Sequence, residues 1–375
     1  MNVCRSFIGS NRASNGRLKV LQYHLQNVSH ARPTSMLNFR PGGYSNTNVT
    51  FMNMRASSTG TVLDLLVNHL PQEEVEVTYP LTVKEAFSFI EDVLKLPNPQ
   101  SLLREDRHAF LNLLAKQMNY AVPFSNIVLV GKPFGQRVAP SLEECKEEVV
   151  ACRGGSCFII NTFNKILLDL LGYKTRFTTG KNPYHKVMGT HTGLVVQDLR
   201  YSGSEDLLEV GTRRPLFEAI PLDFGEESPE YAFGHVVSKF FRSEDGLVHW
   251  CKELDRNTKA QEAVIERGNK RWEVQLIYDL DLTVPLSLMV ACHGLIWPNA
   301  DIVPEVHGDA VVSGYSGKQF VVIKGKQVSV VREDFSKENY TAESKEHLIN
   351  IYQKYFPQFS VAMVERAIEN TISKW

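Results

Sequence analysis

Cys157 follows two glycines in the run Ala151-Cys152-Arg153-Gly154-Gly155-Ser156-Cys157, and the apolar stretch Phe158 to Leu171 behind it has helical spacing and stops at Gly172. A thiol at the mouth of a helix meets unpaired backbone N–H groups and the positive end of the helix dipole, which favour thiolate over thiol. A cysteine nucleophile also needs a base to take its proton and a third group to hold that base in the right tautomer. His191 opens the apolar run His191-Thr192-Gly193-Leu194-Val195-Val196, which reads as a buried strand. Glu209 lies in a second such run, Asp206 to Gly211. Two adjacent strands joined by the polar segment Gln197 to Glu205 bring these side chains together, so Cys157, His191 and Glu209 form a candidate triad. Each has a plainer reading as well: cysteine is often an inert buried side chain, a strand-opening histidine is often a wall residue, and a carboxylate at a strand end often faces solvent. Cys152, ahead of the glycines, reads as core or as support behind the site. His185, in the turn-like stretch after Asn182-Pro183-Tyr184, reads as exposed.

The block Arg153-Gly154-Gly155-x-Cys157-x-x-x-Asn161 resembles the signature of the arylamine N-acetyltransferases. So do Val122-Pro123-Phe124-Ser125-Asn126-Ile127 upstream, the His191 strand, and Glu209-Val210-Gly211 followed by Pro215 and Pro221-Leu222. The blocks occur in the family's order and the resemblance covers roughly residues 80 to 360. It implies an enzyme in which Cys157 accepts an acetyl group from acetyl-CoA and passes it to an aromatic amine, hydrazine or hydroxylamine, with His191 as acid and base. It also implies that Phe124 lines an aromatic substrate pocket and that the backbone of Gly189 and Thr190 approaches the CoA pantetheine. The chain departs from the family pattern at several positions. Glu209 replaces the usual aspartate and is one methylene longer; Ser125 and Ile159 replace two glutamates; Thr212-Arg213 replaces Phe-Gly. Arg153 thereby loses its usual carboxylate, so another acid must pair with it or its guanidinium must reach solvent. No Walker-type or Gly-x-Gly-x-x-Gly loop is present to hold the CoA pyrophosphate.

The elements that must position these residues follow from pattern. Helices are expected over Val62 to Leu70, Thr82 to Leu94 and Arg104 to Tyr120, and then over the Phe158 to Leu171 stretch, capped by Gly172. From Tyr173 to about Val284 short apolar runs alternate with polar turns: Tyr173 to Phe177, His191 to Val196, Asp206 to Val210, Leu247 to Lys252 and Trp272 to Tyr278. This spacing suggests an antiparallel sheet or barrel. Beyond it come a hairpin, Gln319 to Ile323 and Gln327 to Val331 around Lys324-Gly325-Lys326, and helices over Ser344 to Phe356 and Ser360 to Lys374. With the family resemblance, the expected fold is α+β with a cysteine-protease or transglutaminase-like core. Its parts are a tail (1–75), a helical bundle carrying the nucleophile (76–172), an antiparallel β-barrel carrying His191 and Glu209 (173–284), and an α/β lid (285–375).

Composition bounds the rest. The 375 residues are 43% hydrophobic and 22% charged, with a net charge of −1, as in an ordinary globular protein. Seven of the 41 basic residues and none of the 42 acidic ones fall in the first 63. The body is thus mildly acidic, which gives no reason to expect nucleic-acid binding. The basic, Ser/Asn-rich tail reads as a mitochondrial transit peptide, or else as a disordered extension or as upstream sequence ahead of a later start at Met36, Met52 or Met54. Six cysteines without Cys-x-x-Cys spacing suit a reducing compartment and no metal. No apolar run reaches the roughly 20 residues needed to span a bilayer. The expectation is a cytoplasmic monomer, or a mitochondrial one if the tail targets it, acting on a CoA thioester and a small amine without metal, membrane or nucleic acid. Two rivals use the same residues: a cysteine hydrolase or transglutaminase-like enzyme with the same Cys-His-acid order, and a non-catalytic relative that keeps the pocket for binding.

Overall fold

A computed structural model describes residues 78–185, 188–260, 262–298, 300 and 302–371. The expected helix over Val62 to Leu70 and the basic tail lie outside them. The first described helix, α1 (Val83–Ser88), starts at a capping box in which Thr82 and Glu85 satisfy each other's backbone N–H groups, and it runs on into a π-helical turn, Phe89–Val93. The helix expected from Arg104 is two helices, α2 (Pro99–Glu105) and α3 (Arg107–Ala121). The break is local: Asp106 takes an extended conformation and its carboxylate accepts from Ala109 N, ending one helix and capping the next. Strand β1 (Phe124–Ser125) and the short α4 (Ile127–Val130) follow, then α5 (Leu142–Val150), which lies outside the helices expected from pattern.

Helix α6 (Cys157–Leu170) carries Cys157 at its first position. Ten of its fourteen residues are buried on all sides, against α5 and against strands β2 (Lys174–Lys181) and β3 (His191–Gln197). Its end is fixed by Gly172 at φ +78°, with Tyr173 N donating to Leu168 O and Gly172 N to Asp169 O, a Schellman closure that needs the left-handed residue. Fully buried Phe158, Ile160, Phe163, Leu167 and Leu168 contribute on the order of 1.5–3 kcal/mol each, so the helix carrying Cys157 is anchored by its whole length.

The central sheet continues with β4 (Glu205–Leu208), β5 (Ile220–Pro221), β6 (Tyr231–Phe233), β7 (Val236–Arg242), β8 (Val248–Leu254), β9 (Val264–Arg267) and β10 (Lys270–Val284). Its antiparallel order is β5-β4-β3-β2-β10-β8-β7-β6, with β9 paired to β10. The expected barrel is therefore a curled half-barrel. Its two ends, β5 and β6, do not pair with each other among the described residues; they are two and three residues long, and Pro221 has no N–H to donate. A second sheet, β1-β11-β12-β13-β14, is built from β11 (Val311–Ser316), β12 (Gln319–Lys324), β13 (Gln327–Val331) and β14 (Lys337–Thr341), with β1 contributed from the helical segment. Helix α7 (Leu286–Ile296) and the one-turn α8 (Pro304–His307) lead into this sheet. Helices α9 (Lys345–Tyr355) and α10 (Val361–Glu369), capped by Ser344 and Ser360, pack on it.

Candidate active site

Cys157 is the first residue of α6, at the N-terminal position the sequence had suggested, with Ser156 as N-cap. Two glycines make this placement possible. Gly154 holds φ +66°, and a Cβ there would fall 1.8 Å from Pro123 O. A Cβ at Gly155 would fall 2.7 Å from Ile159. The bare backbone lies directly on β1: Ser125 N donates to Gly155 O at 2.8 Å. The Val122 to Ile127 block and the block around Cys157 are thus one hydrogen-bonded unit.

His191 opens β3 and Glu209 follows directly on β4, which pairs with β3 in the register Leu194 to Leu208. Both side chains are buried, Glu209 completely. His191 Nε2 lies 2.6 Å from Glu209 Oε2, and the Cys157 sulfur sits near enough to the same imidazole to act on its charge. The three candidate residues therefore meet. Burial works to lower the pKa of His191; the Glu209 carboxylate and then the Cys157 sulfur oppose it and raise it to about 10. Such a ring is an imidazolium at neutral pH.

Four groups converge on the buried Glu209 carboxylate. Besides His191, Oε2 accepts from Tyr278 Oη at 3.0 Å, while Oε1 accepts from Gly211 N at 2.9 Å and from Asn161 Nδ2 at 3.1 Å. All four partners are donors, which suits an acceptor-only carboxylate and offsets its desolvation. Burial first, and Glu209 next, push the Tyr278 hydroxyl well above its ordinary pKa, so it remains a donor. Asn161 also donates to Thr192 O at 2.5 Å and so ties α6 to β3. It stands one helical turn after Cys157 on the same face, a spacing visible in the sequence block although no role was read from it. Tyr278 had no such signal. Behind the site, His293 of α7 stacks on Phe158 with ring centroids 4.2 Å apart and meets Thr192 Oγ1 at 2.7 Å. Burial, then the charge of His191, lowers its pKa to about 3, so it is neutral.

The missing partner of Arg153 is Glu148 on α5, which accepts from Nε at 2.8 Å and from Nη2 at 3.0 Å. Ser125 is buried and its Oγ accepts from Ile127 N; Ile159 packs on Gly155. Ser125 and Ile159, the two positions where the family pattern has glutamates, line a cavity of about 10 Å³ together with Ser156 and Trp297.

Phe124 is half-buried on β1 with the Arg213 guanidinium 5.1 Å above its ring, so a cation covers one aromatic face where the family pattern has Phe-Gly in place of Thr212-Arg213. Gly189 has φ +95° and bonds Gly180 O; Thr190 is buried, and its Oγ1 lies 2.7 Å from His185 Nδ1. This corrects the reading of His185 as exposed: it is 6% exposed, because the turn after β2 folds inward and Thr190 supplies a polar partner. Cys152 is half-buried, and burial raises its thiol pKa. Among the described residues no cluster of His, Cys, Asp and Glu is placed to hold a metal ion.

A family model described as N-acetyltransferase matches residues 109–280. No curated protein matches the chain. Among solved structures, the arylamine N-acetyltransferase of Mycobacterium abscessus aligns with a TM-score of 0.58 at 14% identity, covering 80% of this chain and 100% of that one. That of Mycobacterium marinum in complex with CoA gives 0.58 at 15% identity, over 76% of this chain and 99% of its own. The arylamine N-acetyltransferase C of Bacillus anthracis gives 0.57 at 13%, over 74% and 100%.

Proposed function

We propose, from the premise that this chain is a distant relative of the arylamine N-acetyltransferases, that it moves an acetyl group from acetyl-CoA to an arylamine, hydrazine or related amine through a thioester on Cys157. The observation that carries this reading is the buried pair of His191 and Glu209 meeting a cysteine at the start of a helix.

The Cys157 thiolate attacks the acetyl carbonyl carbon of acetyl-CoA. As the tetrahedral intermediate collapses, the bond from carbon to the CoA sulfur breaks and CoA departs as a thiol with the proton of His191. The acceptor nitrogen then attacks the Cys157 thioester and gives its proton to His191. The carbon–sulfur bond to Cys157 breaks, and the products are the acetylated amine and a restored thiolate and imidazolium. Glu209 does not exchange a proton; it holds the ring by Nε2 and stabilises its charge. Backbone N–H groups at the first turn of α6, that of Cys157 included, have no partner within the helix and are suited to hold each oxyanion.

Incubation with acetyl-CoA alone, followed by mass spectrometry, is expected to find an acetyl adduct on the Cys157 peptide, discharged by an arylamine or hydrazine from a panel. Cys157→Ala should show neither adduct nor turnover. Release of acetate without an acceptor, or acetylation unchanged in Cys157→Ala, would defeat the assignment.

A further inference from the structure

Two glycines lie inside the strands that flank the triad, and neither is there for its backbone angles. Gly180 of β2 and Gly193 of β3 are absent from the positive-φ glycines, so neither needs glycine for a left-handed conformation, and glycine inside a strand weakens it. Space is the remaining reason. Gly180 pairs with His191 on one side and with Tyr278 on the other, while Gly193 pairs with Thr178. A Cβ on Gly180 would fall 2.8 Å from Ile277 O and 3.2 Å from Tyr278 Cδ1. A Cβ on Gly193 would fall 3.2 Å from Tyr278 Cε1, 3.3 Å from Thr178 Cγ2 and 3.2 Å from Glu209 Oε2. The Tyr278 ring therefore lies across both glycines, edge-on to His191 with centroids 5.7 Å apart, and delivers its hydroxyl to Glu209 Oε2, the oxygen that also meets His191.

Extending the register of β3 and β4 by one residue sets Gly193 opposite Glu209. The longer acid needs room there that an aspartate would not, since one methylene less withdraws the carboxylate toward its own backbone. We infer that Gly180, Gly193 and Tyr278 form a seat that adapts this site to glutamate: the glycines clear a track for the ring and the carboxylate, and the Tyr278 hydroxyl fixes Oε2 against His191. Tyr278 and Gly193 are thus positioning residues acting through Glu209. The inference rests on the triad reading above but not on acetyl transfer.

The test follows alkylation of the Cys157 thiol by iodoacetamide as a function of pH, scored on the Cys157 peptide so that Cys152 does not interfere, in wild type, Gly193→Ala, Glu209→Asp, the double variant and Tyr278→Phe. Gly193→Ala is expected to slow alkylation near neutral pH on the order of tenfold when Glu209 is present, and to have little effect on the Glu209→Asp protein, so that the two changes are coupled rather than additive. Equal effects of Gly193→Ala in both backgrounds, or none in either, would overturn the seat. Tyr278→Phe keeps the ring and removes one hydrogen bond to a charged group; if Gly193→Ala does not fold, this variant decides. A fall of roughly tenfold near neutral pH with a changed pH profile is expected, and a profile identical to wild type overturns the inference. Because alkylation needs no acetyl donor, a reactive wild-type Cys157 that never takes an acetyl group would refute the proposed function and leave the seat standing.

Discussion

Glu209→Gln removes one charge from the site while keeping its volume, and the hydrogen-bond pattern around the carboxylate makes the consequence calculable. His191 and Tyr278 meet Oε2, and Gly211 and Asn161 meet Oε1; all are donors. Whichever way the amide of glutamine turns, its NH2 faces donors on one side, so at least one buried group loses its acceptor. The charge that opposed burial at His191 is lost as well, and desolvation then draws its pKa down from about 10. Breaking a buried charged pair costs about 3–5 kcal/mol, which at 1.36 kcal/mol per tenfold is roughly two to four orders of magnitude in rate if it is fully felt in the transition state. Acetylation of Cys157 and its alkylation near neutral pH should both fall within that range. The same charge gives a stability signature. A histidine whose pKa rises on folding contributes stability that is complete below its unfolded value of 6.5 and is lost as pH climbs through about 10. Urea melts of wild type should therefore lose stability across that window, by a few kcal/mol in order of magnitude, and Glu209→Gln should lack this component. A variant with wild-type alkylation and the same stability slope would refute the reasoning.

Other substitutions test the scaffold around Cys157. Gly154→Ala puts a Cβ 1.8 Å from Pro123 O at a φ of +66°, so denaturant unfolding should show a loss of about 3 kcal/mol or more, and a change within about 0.5 kcal/mol would mean that the two blocks do not pack as described. Glu148→Gln leaves Arg153 without its two-pronged partner; with the guanidinium 26% exposed, solvent screening limits the loss to about 1 kcal/mol, and the wild-type advantage should shrink as salt is added. A salt-independent difference would indicate that the charge pair is not its origin.

Much of the site is legible along the chain because its signals are local. A pair of glycines before a cysteine, a helix with a glycine stop, and two short apolar runs around a polar turn each follow from a few neighbouring residues. Their consequence, a strand-to-strand pairing that faces His191 with Glu209, follows from sheet geometry. The split at Asp106 is not legible because one residue serves as the end of one helix and the cap of the next. Whether the sheet closes into a barrel is not legible locally, because closure depends on whether distant edge strands meet, and short strands carrying a proline leave no local trace of that. The burial of His185 depends on a threonine brought back by a turn.

The order of residues by itself determined who could do the chemistry: the types of the three side chains, their place at a helix start and at strand ends, and the glycines that allow close approach. Only tertiary structure decided what keeps that chemistry in place. The donors gathered on Glu209 come from positions 161, 191, 211 and 278, and the acid that balances Arg153 comes from the preceding helix. A buried charge is stable only when its partners arrive together from separate segments, and no stretch of chain short enough to show a pattern contains them all.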